Sequence, residues 1–231
     1  MPAASDAAVD AAAGLETARL LLEIKAVNFR PATPYTLTAG WASPVYIDCR
    51  RVISFPAARA RIVQLAVEKI EREVGFKAID AVAGGETAGI PYAAWIADAV
   101  KKPMLYVRKQ PKGFGRDAQI EGNPEPGSRA LLVEDLATDG GSKINFVAGM
   151  RAAGLKVTDV FVVFFYGAFS NALDTLKDAG VRLHWLADWR DVLKAAEEGR
   201  HFDKAAISGV REFLADPIGW SKAHGGKGAA D

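Results

Sequence analysis

The stretch ALLVEDLATDGGSK, residues 130–143, decides the reading of this chain. A short apolar run enters two adjacent carboxylates, Glu134 and Asp135, and leaves through Thr138, Asp139, Gly140, Gly141 and Ser142. Such a run predicts a strand buried on both faces. Gly140 and Gly141 let backbone N–H groups approach a ligand closely. The helix predicted to follow presents the positive end of its dipole, and Thr138 and Ser142 add hydroxyls. Together these make a phosphate cradle. The GxxxxGK[ST] spacing of a Walker loop is missing. A phosphate alone would repel the two acids. They make sense when the same ligand also offers hydroxyls, a developing positive charge or a metal; a ribose 5-phosphate offers the hydroxyls.

Outward from this stretch the chain keeps a rhythm. AIDAVAG, PMLYVR, RALLVED, VTDVFVVFFYG and VRLHWLA read as strands. ETAGIPYAAWIADAV, GSKINFVAGMRAAG and NALDTLKDAG read as helices between them. This alternation predicts an α/β fold, a central mostly parallel sheet flanked by helices, with its binding crevice at the carboxyl ends of the strands. Three strands should open on that edge: one into the acidic stretch, one into the glycine-rich turn Gly84 to Gly89, and one into a basic segment. That segment, YVRKQPKGFGRDAQIEG, carries Arg108, Lys109, Lys112 and Arg116 among glycines and a proline. Cations on a loop beside a phosphate cradle suit a lid over a polyanion.

Before the rhythm, LETARLLLEIKAV predicts a helix with Leu15, Ala18, Leu22 and Val27 on one face. YTLT and VYID predict short antiparallel strands in a small N-terminal hood. SFPAARARIVQLAVEKIEREV predicts a helix with Ser54 as N-cap, Pro56 in the first turn and Gly75 beyond its end. Residues 1–14 are expected to be a disordered tail without a secretory signal. Helices are expected to fill the C-terminal part, ending in a loose tail.

Half of the 231 residues are hydrophobic, enough to bury a sizeable core, and the net charge is only +1. Near-neutrality argues against a nucleic-acid partner. The longest apolar run, VFVVFFYGAF, is far short of the ~20 residues of a membrane helix, so no membrane role is expected. Cys49 is the single cysteine, which fits the reducing cytoplasm and a packing role. His184, His201 and His224 lack zinc spacing, and His184 reads as a strand packing residue.

These residues resemble the type I phosphoribosyltransferases, and more closely the orotate branch of that family. VEDLATDGGS is similar to the phosphoribosyl diphosphate signature. YTLTAGWASPVYIDCR resembles the hood with its Ser-Pro-x-Tyr strand, and RKQPKGFG the Arg-Lys-x-x-Lys-x-aromatic-Gly lid. The resemblance implies transfer of a phosphoribosyl group from its 1-diphosphate to orotate, with magnesium carried by the diphosphate and no direct protein ligand for the metal. It implies catalytic roles for Lys112, Asp135 and Glu134. It places substrate on Arg108, Lys109, Lys112, Glu134, Asp135, Leu136, Ala137, Thr138, Asp139, Gly140, Gly141 and Ser142, and on the backbone at Tyr46 and Ile47. It also implies a cytoplasmic homodimer whose lid reaches the neighbouring site.

In these terms residues 1–14 are the tail and 15–52 the N-terminal helix and hood. Residues 53–200 are the phosphoribosyltransferase core, and 201–231 the C-terminal helix and loose end. The chain departs from the family pattern at Thr38, Ala88 and Phe114. FYGAF stands where the family has an acid-Arg segment whose arginine binds the orotate carboxylate. Arg50 or Arg30 is the expected replacement. A phosphoribosyltransferase for a purine or other base, and a non-catalytic regulator of the same fold, are the alternatives.

Overall fold

The computed structural model describes residues 4–37, 40–111, 119–138, 140–168 and 172–228. In chain order its elements are α1 (Ala4–Glu23), β1 (Val27–Phe29), β2 (Tyr35–Thr36), β3 (Ala42–Ser43), β4 (Val45–Ile47), a 3-10 helix (Cys49–Ser54), α2 (Pro56–Glu73), a 3-10 turn (Phe76–Ala78), β5 (Ala81–Gly85) and α3 (Gly89–Val100). Then come β6 (Met104–Val107), β7 (Ile120–Glu121), β8 (Ala130–Ala137), α4 (Gly141–Ala152), β9 (Asp159–Phe165), α5 (Ala172–Asp178), β10 (Arg182–Asp188), α6 (Trp189–Gly199), α7 (Lys204–Ala215) and α8 (Pro217–Ala223). They form two compact units.

The larger unit comprises residues 59–165 and 170–186. Its sheet has the order β10-β9-β8-β5-β6-β7. β5 pairs in parallel with both β6 and β8, and β8 with β9, while the short β7 runs antiparallel on the edge. Every residue of β9 is buried, which explains why it reads as one unbroken apolar run. Leu105, Leu132, Val160 and Val162 pack under Phe146, Val147 and Met150 of α4. The order steps one way from β5 to β6 and the other way from β8 to β9. The topological switch point therefore lies between β5 and β8, where open α/β sheets bind ligands.

The smaller unit comprises residues 1–58, 166–169 and 187–231. Its hood pairs β1 with β4 and β2 with β3, both antiparallel. Helices α1 and α6 pack together, as do α6 with α7 and α7 with α8. Trp189 is buried, with Phe29 tilted and Tyr166 edge-on against its ring. Asp188 caps α6 in a box with Asp191, which fixes where that helix starts.

Four expectations need correction. The N-terminal stretch is helical from Ala4, because alanine has the strongest intrinsic helix propensity. That helix stops at Glu23, and Val27 opens β1 instead of sharing the helical face. Ser54 does not cap α2; it ends the preceding 3-10 helix, while Pro56 takes the first helical position. Helix α6 belongs with the N-terminal residues, so the expected core boundary at 200 falls near 187.

His184 is also more than a packing residue. Its Nδ1 lies 2.6 Å from Glu73 and its Nε2 2.8 Å from Asp159. Burial alone would lower its pKa, but the two carboxylates outweigh burial and raise it. Against burial, His184 and its other polar neighbours hold Glu73 and Asp159 at about 2. A raised histidine pKa means the imidazolium's stabilisation is complete below about pH 6.5 and is lost as pH rises through the folded value. The melting temperature should therefore decline from about pH 6.5 towards pH 9. Calorimetry on His184→Gln should show most of that slope removed.

Candidate active site

The carboxyl ends of β6, β5 and β8 lie side by side, because Tyr106 pairs with Gly84 and Gly84 with Val133. Each predicted segment leaves the sheet there. β5 enters the turn Glu86–Ala88, which includes a cis peptide between Glu86 and Thr87. β6 runs out at Arg108 and Lys109, and β8 into Thr138 and Gly140. The Lys109 amide donates to a Glu86 carboxylate oxygen at 2.8 Å, which ties the basic exit to the glycine-rich turn.

Gly140 has φ +84° and stands at the N-cap of α4, a left-handed position that suits glycine. Helix α4 then begins at Gly141. No side chain caps α4 at Gly140, and the first turn of a helix is the positive end of its dipole. Gly141 and Ser142 are exposed, and Thr138 is half-buried. Leu136 is half-buried and Ala137 buried within β8. Asp139 lies outside the described residues.

The acidic pair is split. Asp135 is half-exposed, whereas Glu134 is only 6% exposed. Glu134 Oε2 accepts from Lys143 Nζ at 3.1 Å, and Lys143 itself is 5% exposed. Glu134 Oε1 is buried without a hydrogen-bond partner among the described residues. Burial pushes the Glu134 carboxyl up to about 7, with Lys143 opposing and the Asp135 charge adding to the rise. Removing one partner of so buried a pair costs about 3–5 kcal/mol, because the other charge is left uncompensated.

The sequence reading passed over Lys143. A signal was present: a lysine in the first turn of a helix faces the positive dipole end, so it needs an acid close by.

Gly84, Gly85 and Gly89 serve close packing. A Cβ on Gly84 would stand 2.7 Å from Ile90 Cα, and one on Gly85 2.5 Å from Glu134 Oε1. A Cβ on Gly89 would run into the Val133 carbonyl oxygen. The start of α3 is thus pressed against the acidic end of β8.

At the lid, Arg108 forms an ion pair with Glu121 at 3.4 Å and exchanges backbone bonds with Gln119 and its side chain. Lys112, Phe114 and Arg116 lie outside the described residues, as does Thr38.

In the hood, Tyr46 is 36% exposed with its ring 5.3 Å from that of Tyr35, while the Ile47 side chain is buried. Arg30 lies over the Tyr35 ring at 4.9 Å, and Arg50 bonds to Asp48 at 2.7 Å and the Tyr46 hydroxyl at 3.4 Å. Two guanidinium groups thus flank a pair of aromatic rings.

No family model matches the chain. It is 51% identical over 209 residues to the orotate phosphoribosyltransferase of Rhizobium johnstonii, covering 90% of both chains. It is 50% identical over 208 residues to that of Roseobacter denitrificans, covering 90% of this chain and 92% of the other. The chain belongs to the orotate phosphoribosyltransferase family.

Solved structures agree. The orotate phosphoribosyltransferase of Aeropyrum pernix matches with a TM-score of 0.68 at 30% identity, over 78% of this chain and 99% of the other. The UMP synthase of Leishmania donovani matches with a TM-score of 0.74 at 26% identity over 87% of this chain, which spans 42% of that longer protein. The orotate phosphoribosyltransferase of Mycobacterium tuberculosis, solved with 5-phospho-α-D-ribosyl 1-diphosphate, matches with a TM-score of 0.60 at 25% identity, over 78% of this chain and 98% of the other. The fold is that of the type I phosphoribosyltransferases.

One departure from the orotate phosphoribosyltransferase pattern gains a structural explanation. In FYGAF, Tyr166 is buried and its hydroxyl lies 2.5 Å from Ser43 Oγ. Burial raises its pKa well beyond the ordinary phenol range. Tyr166 therefore anchors the hood strand β3 from within the smaller unit and supplies no cation.

Proposed function

We infer that the chain transfers the 5-phosphoribosyl group of 5-phospho-α-D-ribose 1-diphosphate to orotate, forming orotidine 5′-phosphate and diphosphate in pyrimidine synthesis. The observation that carries this reading is the run Glu134–Ser142 at the switch point of the sheet, in a chain half identical to curated orotate phosphoribosyltransferases. The phosphate belongs on Thr138, Asp139, Gly140, Gly141 and Ser142, with the backbone of Leu136 and Ala137 leading into that turn. The ribose diol belongs on Asp135 and Glu134. Asp135 is the half-exposed acid; Glu134 is tied inward to Lys143. Arg108, Lys109 and Lys112 belong with the diphosphate, and the backbone at Tyr46 and Ile47 with the orotate ring.

In the reaction a ring nitrogen of orotate forms a bond to C1 of the ribose as the C1–O bond to diphosphate breaks, with inversion. Positive charge builds at C1 and negative charge on the departing diphosphate. Lys109, Lys112 and Arg108 lower the barrier because they meet that charge more strongly in the transition state than before it. The orotate nitrogen ionises readily, so no strong general base is needed.

Magnesium suits this donor set as a ligand of the diphosphate. Magnesium prefers to keep water and phosphate oxygens as its ligands. When bound it would neutralise charge on the leaving group. No described helix is long and apolar enough to cross a membrane. A homodimer in the cytoplasm completes the reading, supported by the family pattern of the lid and by the single cysteine.

The test is direct. Protein, phosphoribosyl diphosphate and magnesium should consume orotate, followed by its ultraviolet absorbance, and release one diphosphate per orotate; purine bases should give no turnover. Consumption of a purine base with orotate untouched would overturn the orotate assignment.

The orotate carboxylate needs a cation, and FYGAF has none. Arg50, 60% exposed in its side chain, is our assignment. Arg50→Ala should raise the KM for orotate about tenfold or more, in line with losing a charged hydrogen bond of 1.5–3 kcal/mol, and leave the KM for phosphoribosyl diphosphate near wild type. An unchanged orotate KM would exclude it and point to Arg30.

A further inference from the structure

Lys143 has no task in the reading above, yet it occupies an expensive position. It is desolvated and sits in the first turn of α4 against the helix dipole. Its Nζ donates to Glu134 Oε2 at 3.1 Å and lies 3.2 Å from Ser142 Oγ. Glu134 belongs to the strand end that carries the acids; Ser142 belongs to the turn that carries the phosphate cradle. One ammonium therefore spans both halves of the sugar-phosphate site from beneath. The second Glu134 oxygen, buried without a partner among the described residues, leaves that ammonium as the carboxylate's main support.

We propose that Lys143 is a positioning residue that fixes the spacing between the acidic pair and the phosphate-binding turn, so that the diol and the terminal phosphate of the sugar are gripped together. This rests on the phosphoribosyl reading. Lys143 acts through Glu134 and Ser142 and need not touch substrate.

The groups facing Glu134 are Lys143 and the Phe146 ring from α4, Asp135 from its own strand, Gly89 from α3 and Gly85 from β5. Only Lys143 among them is cationic. Without it, burial and the Asp135 charge are opposed only by the Gly89 backbone amide, and Glu134 should ionise at a higher pH. A lysine that only filled space would not move that titration.

The experiment is calorimetric binding of phosphoribosyl diphosphate with magnesium at about pH 6, 7.5 and 9, on wild type, Lys143→Met, Lys143→Arg and Glu134→Gln. Titration of the ligand's own phosphates is common to all four proteins. Lys143→Met should bind about tenfold more weakly at about pH 6, roughly threefold more weakly at about pH 7.5, and regain most of that loss at about pH 9, as a shift of one unit in the Glu134 ionisation requires. Lys143→Arg should keep most of the affinity. Glu134→Gln should lose the pH dependence that separates wild type from Lys143→Met.

A Lys143→Met protein that binds like wild type, or is weakened equally at every pH, overturns the proposal and leaves the phosphoribosyl reading intact. Wild type that binds no phosphoribosyl diphosphate at any pH overturns both. Should Lys143→Met fail to fold, the wild type against Glu134→Gln decides. Identical pH dependence in those two would refute the role of Glu134 and with it that of Lys143.

Discussion

Lys112→Ala should lower kcat by roughly 10²–10³-fold while changing the KM for phosphoribosyl diphosphate much less, the usual scale for removing one donor aimed at developing charge. The charge on the departing diphosphate grows only as the C1–O bond breaks. A compact ammonium that arrives with the lid meets it late, which is the condition for an effect on kcat. Tyr106 and Val107 pair with Glu121 and Ile120, and Arg108 with Gln119, so the residues on either side of the Lys112 segment are held together at the sheet edge. Steady-state kinetics on Lys112→Ala decide the matter; an unchanged kcat with a raised KM would make Lys112 a binding residue only. If the lid of one copy serves the other, mixing inactive Lys112→Ala with inactive Asp135→Asn should restore activity, since mixed dimers contain one site with both residues intact. Mixtures as inactive as their parents would place lid and acids on the same chain.

The strand-helix rhythm from Ala81 to Asp188 was legible because each element is long enough to show its period. β9 is buried throughout and β8 nearly so, and a parallel sheet covered on both faces writes such strands as apolar runs. Other elements left no such mark. β7 has two residues and β1 three, too short for alternation to register. The alanine-rich N-terminus reads as featureless by pattern, yet propensity alone favours the helix it adopts.

At the site, the acids and glycines were legible as types. Their orientations were not. Glu134 and Asp135 are neighbours in sequence, and successive strand residues point to opposite faces, so one is buried against α4 while the other is half-exposed. The partners of His184, Glu73 and Asp159, lie 111 and 25 residues away, a pairing that only the fold creates. The same holds for Tyr166 and Ser43, separated by 123 residues. Composition gives no hint of which polar groups will be buried together.

Gly89→Ala should destabilise the protein by about 3 kcal/mol, the upper range for forcing an extra methyl into a packed interior. For a chain of this size that corresponds to a fall in melting temperature of about 6–12 °C. The backbone at Gly89 has no left-handed requirement, so the cost is steric. The new methyl would collide with Glu134 Oε1 and with the Val133 carbonyl oxygen; the carboxylate can move, but β8 cannot retreat because its neighbour β9 pairs with it from Leu132 to Ala137. Gly85→Ala is the instructive contrast. Its methyl would meet Glu134 Oε1 at 2.5 Å and Phe146 Cε2 at 2.7 Å, both side chains that can move. Stability should fall less, by about 1–2 kcal/mol. Glu134 would have to swing away from Lys143, so binding of phosphoribosyl diphosphate should suffer more than folding does. Calorimetric melting of both variants, set beside their ligand affinities, separates the two effects. If Gly85→Ala bound the ligand like wild type while melting lower than Gly89→Ala, the carboxylate of Glu134 would not be held where the packing of these glycines puts it.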